Sequence, residues 1–183
     1  MYDSEAIARI AAEIGEKVDC AVLGQIPWEE VPRAIVGAFP GSMATLQSLS
    51  ANHDRLNFLY VENVDPAYLK SYMEHYAFVN PWAEHWESVP SGTVALSERE
   101  YPARLLEGTE FYHDWLKPQK NLEAAAGIKV SGEGDSLIFL PVHYDMAQSA
   151  DYDDPLSHVL LRLRGNLGRA MHLSTQMTTG MER

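Results

Sequence analysis

The chain has 183 residues, 46% of them hydrophobic and 22% charged, which suits one globular domain with a full core. Its 26 acidic residues against 14 basic ones leave a net charge of −12, a field that repels phosphate backbones and anionic membrane surfaces and argues against direct contact with nucleic acid. The single cysteine, Cys20, excludes an internal disulfide, no signal segment opens the chain, and no apolar run reaches the roughly 18 residues that span a bilayer, so a soluble, cytoplasmic setting is expected.

In SEAIARIAAEIGEKV, Ile7, Ile10, Ala11, Ile14 and Val18 recur at helical spacing, which predicts an amphipathic helix with Ser4 as its N-cap. A second helix is predicted from Pro27 through WEEVPRAIVGAF to the Pro40-Gly41 stop, shortened or kinked by Pro32. SMATLQSLSA and RLNFLYVEN flank the turn-forming NHD and read as an antiparallel hairpin. In its second strand Leu56, Phe58 and Tyr60 point one way, and Asn57, Leu59 and Val61 the other.

DPAYLKSYMEHYAF predicts a helix capped by Asp65 and ended by VNPW, because Pro81 disfavours helical geometry at Asn80. Asn80 is then free to cap a short helix with Pro81 in its first turn. GTVALS reads as a short strand, and YPARLLEGTEFYHDWL as a helix up to Pro118. AAAGIKVS and SLIFLPVHYD flank GEGD as a second hairpin, with Pro141 arguing for a bulge or a strand edge. DPLSHVLLRLRGNLGRAMHLSTQM predicts a long final helix whose Leu156, Leu160, Leu163, Leu167 and Ala170 form a coiled-coil-like seam; the closing TTGMER is the only disorder-prone piece.

Five short, mostly antiparallel strands with helices inserted after the second and third make an α+β fold. Strands apolar on both sides predict a sheet covered on both faces, terminal helices on one and inserted helices on the other, with room for a pocket beneath the latter. The organisation is an N-terminal helix (1–24), a core (25–154) and a C-terminal signalling or dimerisation helix with its tail (155–183).

The densest cluster of large side chains is YMEHYAFVNPWAEHWESVP. Tyr68, Tyr72 and Tyr76 share a helical face and read either as core or as a pocket wall; buried phenols need hydrogen-bond partners, which suits a cavity. Trp82 and Trp86 would close that cavity, with Tyr112 and Trp115 on its other side. Phe58 and Tyr60, Asn80, and Phe139 and His143 on the last strand complete the candidate ligand-binding set. No His-x3-His or Cys-x2-Cys pair occurs, so no metal site is expected, and His75, His85 and His113 read as half-exposed or hydrogen-bonded histidines. No nucleophile elbow, phosphate loop or dinucleotide fingerprint is present. The adjacent pairs His53-Asp54 and His113-Asp114, and His143-x-Asp145, carry little catalytic weight, because neighbours in a helix or strand do not face each other. Cys20, with no neighbouring base, reads as a packed thiol.

The order of elements, together with HYAFVNPWAEHW, Gly92-Thr93-Val94 and FYHDWLKPQ, resembles the PAS/GAF-like sensory domains at the N-terminus of LuxR-type helix-turn-helix transcription regulators, over about residues 25 to 175. The resemblance implies a five-stranded sheet that binds a small molecule under its inserted helices, needs no cofactor, and leaves DNA to a separate helix-turn-helix. No such segment follows here, so it implies the sensory part alone. The acyl-homoserine-lactone receptors of that family carry aromatics four apart on the first inserted helix and then an Asp-Pro step whose carboxylate holds the ligand amide. Tyr68, Tyr72 and Tyr76 repeat the spacing, but Asn80-Pro81 stands where Asp-Pro would, forgoing a charge-assisted bond, so another small ligand suits the chain at least as well.

The first helix repeats the rhythm of the last with Ile7, Ala11, Ile14, Val18 and Ala21, a pairing that predicts a homodimer through the terminal helices. Arg162, Arg164 and Arg169 give the last helix a basic side for acidic surfaces of a partner subunit or a downstream domain. The expectation is a small-molecule-sensing regulatory domain, with a dimerisation module bearing a vestigial pocket, or a small enzyme acting through His143 or His113, as the rival readings.

Overall fold

The structure, a computed structural model, describes residues 2–119, 122–132 and 136–181, with side-chain surroundings to residue 174. Helix α1 (Ser4–Val22) is capped by Asp3 rather than Ser4: Asp3 has extended backbone and its carboxylate accepts from the Ala6 N–H at 2.8 Å, whereas Ser4 is already helical. Helix α2 (Glu30–Ala38) begins three residues after Pro27, and Pro32 sits in its first turn, where a missing N–H leaves no helical bond unmade.

Strands β1 (Met43–Ser50), β2 (Leu56–Glu62), β3 (Val94–Leu96), β4 (Ala124–Ser131) and β5 (Ser136–Tyr144) form one antiparallel sheet in the order β2-β1-β5-β4-β3. Both predicted hairpins are present as strand pairs, although most of the GEGD turn lies outside the described residues. Pro141 is not at an edge. It sits in the central strand opposite Gly127 of β4, and the β1–β5 pairing lapses beside it, between Ala44↔Val142 and Gln47↔Phe139. The sheet thus absorbs the missing N–H on one side only, without a bulge at that residue.

Between β2 and β3 run α3 (Pro66–Glu74), a 3-10 turn (Tyr76–Phe78) and α4 (Pro81–Ser88). Asp65 caps α3 through the Ala67 N–H and Asn80 caps α4 through the Trp82 N–H, both as the residue order predicts. A short helix α5 (Ser97–Glu100) precedes Tyr101, and the helix expected from Tyr101 to Leu116 is broken into a 3-10 turn (Ala103–Leu106) and one π-helical turn (Phe111–Leu116), followed by a 3-10 turn at Lys117–Gln119. Thr109 makes the break: its hydroxyl donates to the Leu106 carbonyl and accepts from the Tyr112 N–H, so one segment stops and the next starts at that residue. Helix α6 (Ser149–Met181) starts ahead of the predicted Asp154-Pro155, holds Pro155 inside, and carries helical backbone into the TTGMER stretch.

Helices α1, α2 and α6 cover one face of the sheet, meeting Ala44 and Leu46 of β1, Ile128 of β4, and Leu140 and Val142 of β5. The inserted segments cover the other, above Met43, Leu49, Leu137 and Phe139. This is the predicted layering, and alternate residues of each strand serve the two faces. The seam residues Leu156, Leu160, Leu163, Leu167 and Ala170 are buried within the chain, as are Ile7, Ala11, Ile14, Val18 and Ala21. Helices α1 and α6 spend these apolar rows on each other and on the sheet, at about 1.5–3 kcal/mol for each large side chain removed from water. No described helix is long and apolar enough to cross a membrane.

Candidate functional site

Strand β1 is buried along its whole length, yet it reads polar at alternate positions: Thr45 and Gln47 face the inserted helices. Beside them β5 presents Phe139, Pro141 and His143 and β2 presents Leu59 and Val61, making the floor of a cleft. Its roof is Tyr72 of α3, Asn80 with Trp82 and Trp86 of α4, and Trp115 of the π-helical turn. The interior is narrow, a cavity of about 30 Å³ with room for roughly one or two water molecules and well under the size of most small-molecule sites.

A chain of uncharged groups crosses this cleft. The Asn80 side-chain N–H donates to the Tyr72 phenol oxygen at 3.4 Å, the Tyr72 O–H donates to Gln47 Oε1 at 2.8 Å, and the Gln47 N–H donates to Thr45 Oγ1 at 3.2 Å. Burial raises the Tyr72 pKa, so the phenol is held neutral. One amide N–H each of Asn80 and Gln47, and the Thr45 hydroxyl proton, lie beyond these bonds. His143 is fully buried, and its pKa is pushed down to about 4 by desolvation, against the opposing pull of the Leu122 carbonyl. The imidazole is therefore neutral at pH 7. With Nδ1 donating to that carbonyl at 3.1 Å, Nε2 is left as an acceptor. The cleft thus carries no formal charge on its lining.

Two indole N–H groups are committed to the scaffold: Trp82 donates to the Tyr101 carbonyl at 2.9 Å and Trp115 to the Tyr68 carbonyl at 3.0 Å. Trp86 lies almost parallel to Phe139 and flush on β4, where a Cβ on Gly127 would come within 2.6 Å of the indole. Lys129 of β4 donates to the carbonyls of Glu87 and Val89, pinning the C-terminal end of α4 to the sheet, and its pKa is lowered by burial. Beyond the Trp82 and His143 rings, which stand 5.2 Å apart, a second narrow cleft, with a cavity of about 30 Å³, opens between α4, β3, β4 and α5. His85, Ser97, Tyr101 and Gly127 line it, with the exposed Glu100 beside them.

Of the residues singled out in the sequence, Tyr72, Asn80, Trp82, Trp86, Trp115, Phe139 and His143 meet at the first cleft. Phe58 and Tyr60 do not: they pack against the opposite face, Tyr60 stacked on Trp28. The pairing shift at Ser48/Leu49 turns Leu56 toward the inserted helices while Phe58 and Tyr60 face away from them. Tyr76 falls out of line with Tyr68 and Tyr72 because α3 ends at Glu74, and it packs edge-on to Phe111. Tyr68 lies at a surface groove beside Val64, and the Tyr112 phenol donates to Glu123. Sequence reasoning overlooked Thr45, Gln47, Leu59 and His85. The alternating polar positions inside an otherwise apolar β1 were the available signal for the first two.

Among the described residues no three His, Cys, Asp or Glu side chains are grouped to hold a metal ion. Asp145 is engaged in capping the Ala147 N–H and His53 contacts Glu87 at 2.9 Å, so neither belongs to an acid-base pair with the histidine or aspartate near it in sequence.

No protein-family model and no curated protein matches the sequence. Solved structures do. CepR2 of Burkholderia cenocepacia, described as an N-acylhomoserine-lactone-dependent LuxR-family transcription factor, matches with a TM-score of 0.55 at 12% identity over 90% of this chain and 99% of that one. The LBD domain of VqsR from Pseudomonas aeruginosa matches at 0.53 and 14% identity over 85% and 96%. The GAF domain of an Acinetobacter phosphoenolpyruvate-protein phosphotransferase matches at 0.51 and 11% identity over 93% and 97%. At these identities the likeness establishes the fold, and the resemblance carried by HYAFVNPWAEHW and FYHDWLKPQ holds at that level: a GAF-like α+β domain of the kind found in LuxR-family regulators.

Proposed function

We propose that this chain is a cytoplasmic, non-catalytic sensory domain that binds a small molecule and belongs to a LuxR-type transcription regulator, with DNA contacts made elsewhere in the assembly. The observation that carries the reading is the cleft between the sheet and α3–α4, where an uncharged Asn80–Tyr72–Gln47–Thr45 chain is threaded between Trp82, Trp86 and Trp115. Polar groups placed among aromatic walls orient a ligand, whereas a core built for stability alone has no use for them. A ligand that favours one seating of α4 would shift β4 through Trp86 and Lys129, and β4 packs directly on α6. Homodimerisation through the terminal helices would then use their outer sides, where Leu161, Arg162 and Leu173 are exposed, because the predicted seams are consumed inside the chain.

The narrow interior favours a second reading, a dimerisation module whose cleft has closed. Native mass spectrometry of the purified chain, followed by denaturing extraction, separates the two. Sensing requires a small molecule released on denaturation, or stabilisation of the bare chain by members of a metabolite library. A dimer that carries nothing and responds to nothing belongs to the second reading.

A further inference from the structure

Resting on the sensing reading, we infer that the cleft beyond Trp82 and His143 is a second ligand subsite, and that the ligand is an uncharged planar molecule with a carbonyl-type acceptor at one end and a hydroxyl or N–H donor at the other. The two clefts share Trp82, Trp86, Pro141 and His143, so one molecule can reach both. Their polar groups are of opposite kinds. In the first, Asn80, Gln47 and Thr45 have N–H and O–H groups left to give, which suits an acceptor. In the second, His85 Nε2 is buried and meets no hydrogen-bond partner, while His143 Nε2 at the junction is an acceptor by tautomer. A buried ring nitrogen without a partner costs free energy that a ligand hydroxyl would recover with either tautomer of the ring, and the acceptor nitrogen of His143 favours a group that also donates.

The surroundings hold His85 in place. Its ring lies nearly parallel to Tyr101 and edge-on to Trp86, and Tyr101 is fixed through its carbonyl by the Trp82 indole. Ser97 accepts from the Ala125 N–H at 2.8 Å, so its hydroxyl proton remains for a ligand oxygen. Flatness follows from the narrow width of both clefts and from Gly127, which lets Trp86 lie down on the sheet. Neutrality at the acceptor end follows from the lining, since a carboxylate or ammonium group in the first cleft would be desolvated with no countercharge; in the second cleft the exposed Glu100 carboxylate disfavours an anionic end.

The test uses three probes on the whole chain, read by tryptophan fluorescence and by ligand-observed NMR: 4-hydroxybenzamide, which has both ends; 4-methoxybenzamide, which lacks the donor; and 4-hydroxybenzoate, which is charged. The expected result is binding of 4-hydroxybenzamide about tenfold tighter than of either analogue, since a site built around a hydrogen bond rejects a ligand that lacks it. In His85→Phe, which keeps the ring stacking and removes both nitrogens, the preference for the phenol over its methyl ether should vanish; His85→Leu serves if the first variant does not fold. Equal binding of phenol and ether, or a preference that survives loss of His85, overturns the second subsite. Failure of all three probes while extraction releases a native ligand overturns the ligand class and leaves the sensing reading standing. Failure of all three with nothing extracted overturns both.

Discussion

The two faces of one sheet are built on different principles. Toward α1, α2 and α6 the strands present chiefly aliphatic side chains, and the helices answer with Ile14, Val18, Ile35, Leu160 and Leu163, none more than 1% exposed. Toward α3 and α4 the same strands present Thr45, Gln47, Lys129 and His143, and the helices answer with rings. Branched aliphatics interdigitate and close; flat rings fixed by their polar ends leave clefts. The aliphatic face is packed shut, and the cleft lies on the aromatic one.

The comparison breaks most visibly on the closed face. Leu163→Ala should cost about 2–5 kcal/mol, the range for deleting a fully buried leucine, and denaturant titration should show it without any change in ligand or probe affinity measured under folding conditions. Less on the open face should cost as much under ordinary conditions, but acid should expose it. His143 is held at a pKa of about 4 in the folded chain against 6.5 unfolded, so its contribution is intact above pH 6.5 and is lost as pH falls toward 4, where the unfolded chain binds the proton and the folded chain does not. The difference amounts to about 3 kcal/mol over that window, and His143→Gln should flatten the corresponding slope in a pH series of unfolding curves.

Smaller effects sharpen the picture. Gly127→Ala drives a Cβ against Trp86 and should cost about 1–3 kcal/mol, and less in a Trp86→Leu background; a penalty unchanged by that second substitution would show that the indole does not depend on the glycine. Tyr72→Phe leaves Gln47 and Asn80 short of one partner in a buried chain and should cost about 1–2 kcal/mol, while a ligand seated on that chain should lose affinity by more than its stability change explains. Tyr72→Phe with unchanged binding would place the ligand away from α3.

Much of the fold was legible. Periodicity marked α1 and α6, Asp65 and Asn80 marked the starts of α3 and α4, and the order of strands and helices marked a two-faced sheet. These are local signals, carried by caps, prolines and spacing within a few residues. The errors fell where local signals compete. Thr109 interrupted a segment whose hydrophobic pattern ran on through it, and a shift in β1–β2 pairing put Leu56 on the face of the inserted helices while Phe58 and Tyr60 stayed on the other. The site was half legible: YMEHYAFVNPWAEHW carried the aromatic roof, but the polar floor on β1 does not stand out until the strand is known to be central.

Composition and periodicity dictate which surfaces must be buried, and so they already imply an acidic α+β domain with aliphatic outer helices and an aromatic insertion. Which polar groups meet depends on the packed fold. Gln47 and Tyr72 are 25 positions apart, and His143 and Leu122 are 21 apart, so their hydrogen bonds depend on strand register and on how α3 and α4 settle over the sheet. Register moves a side chain from one face to the other with a single-residue step, and no local pattern in the chain encodes it.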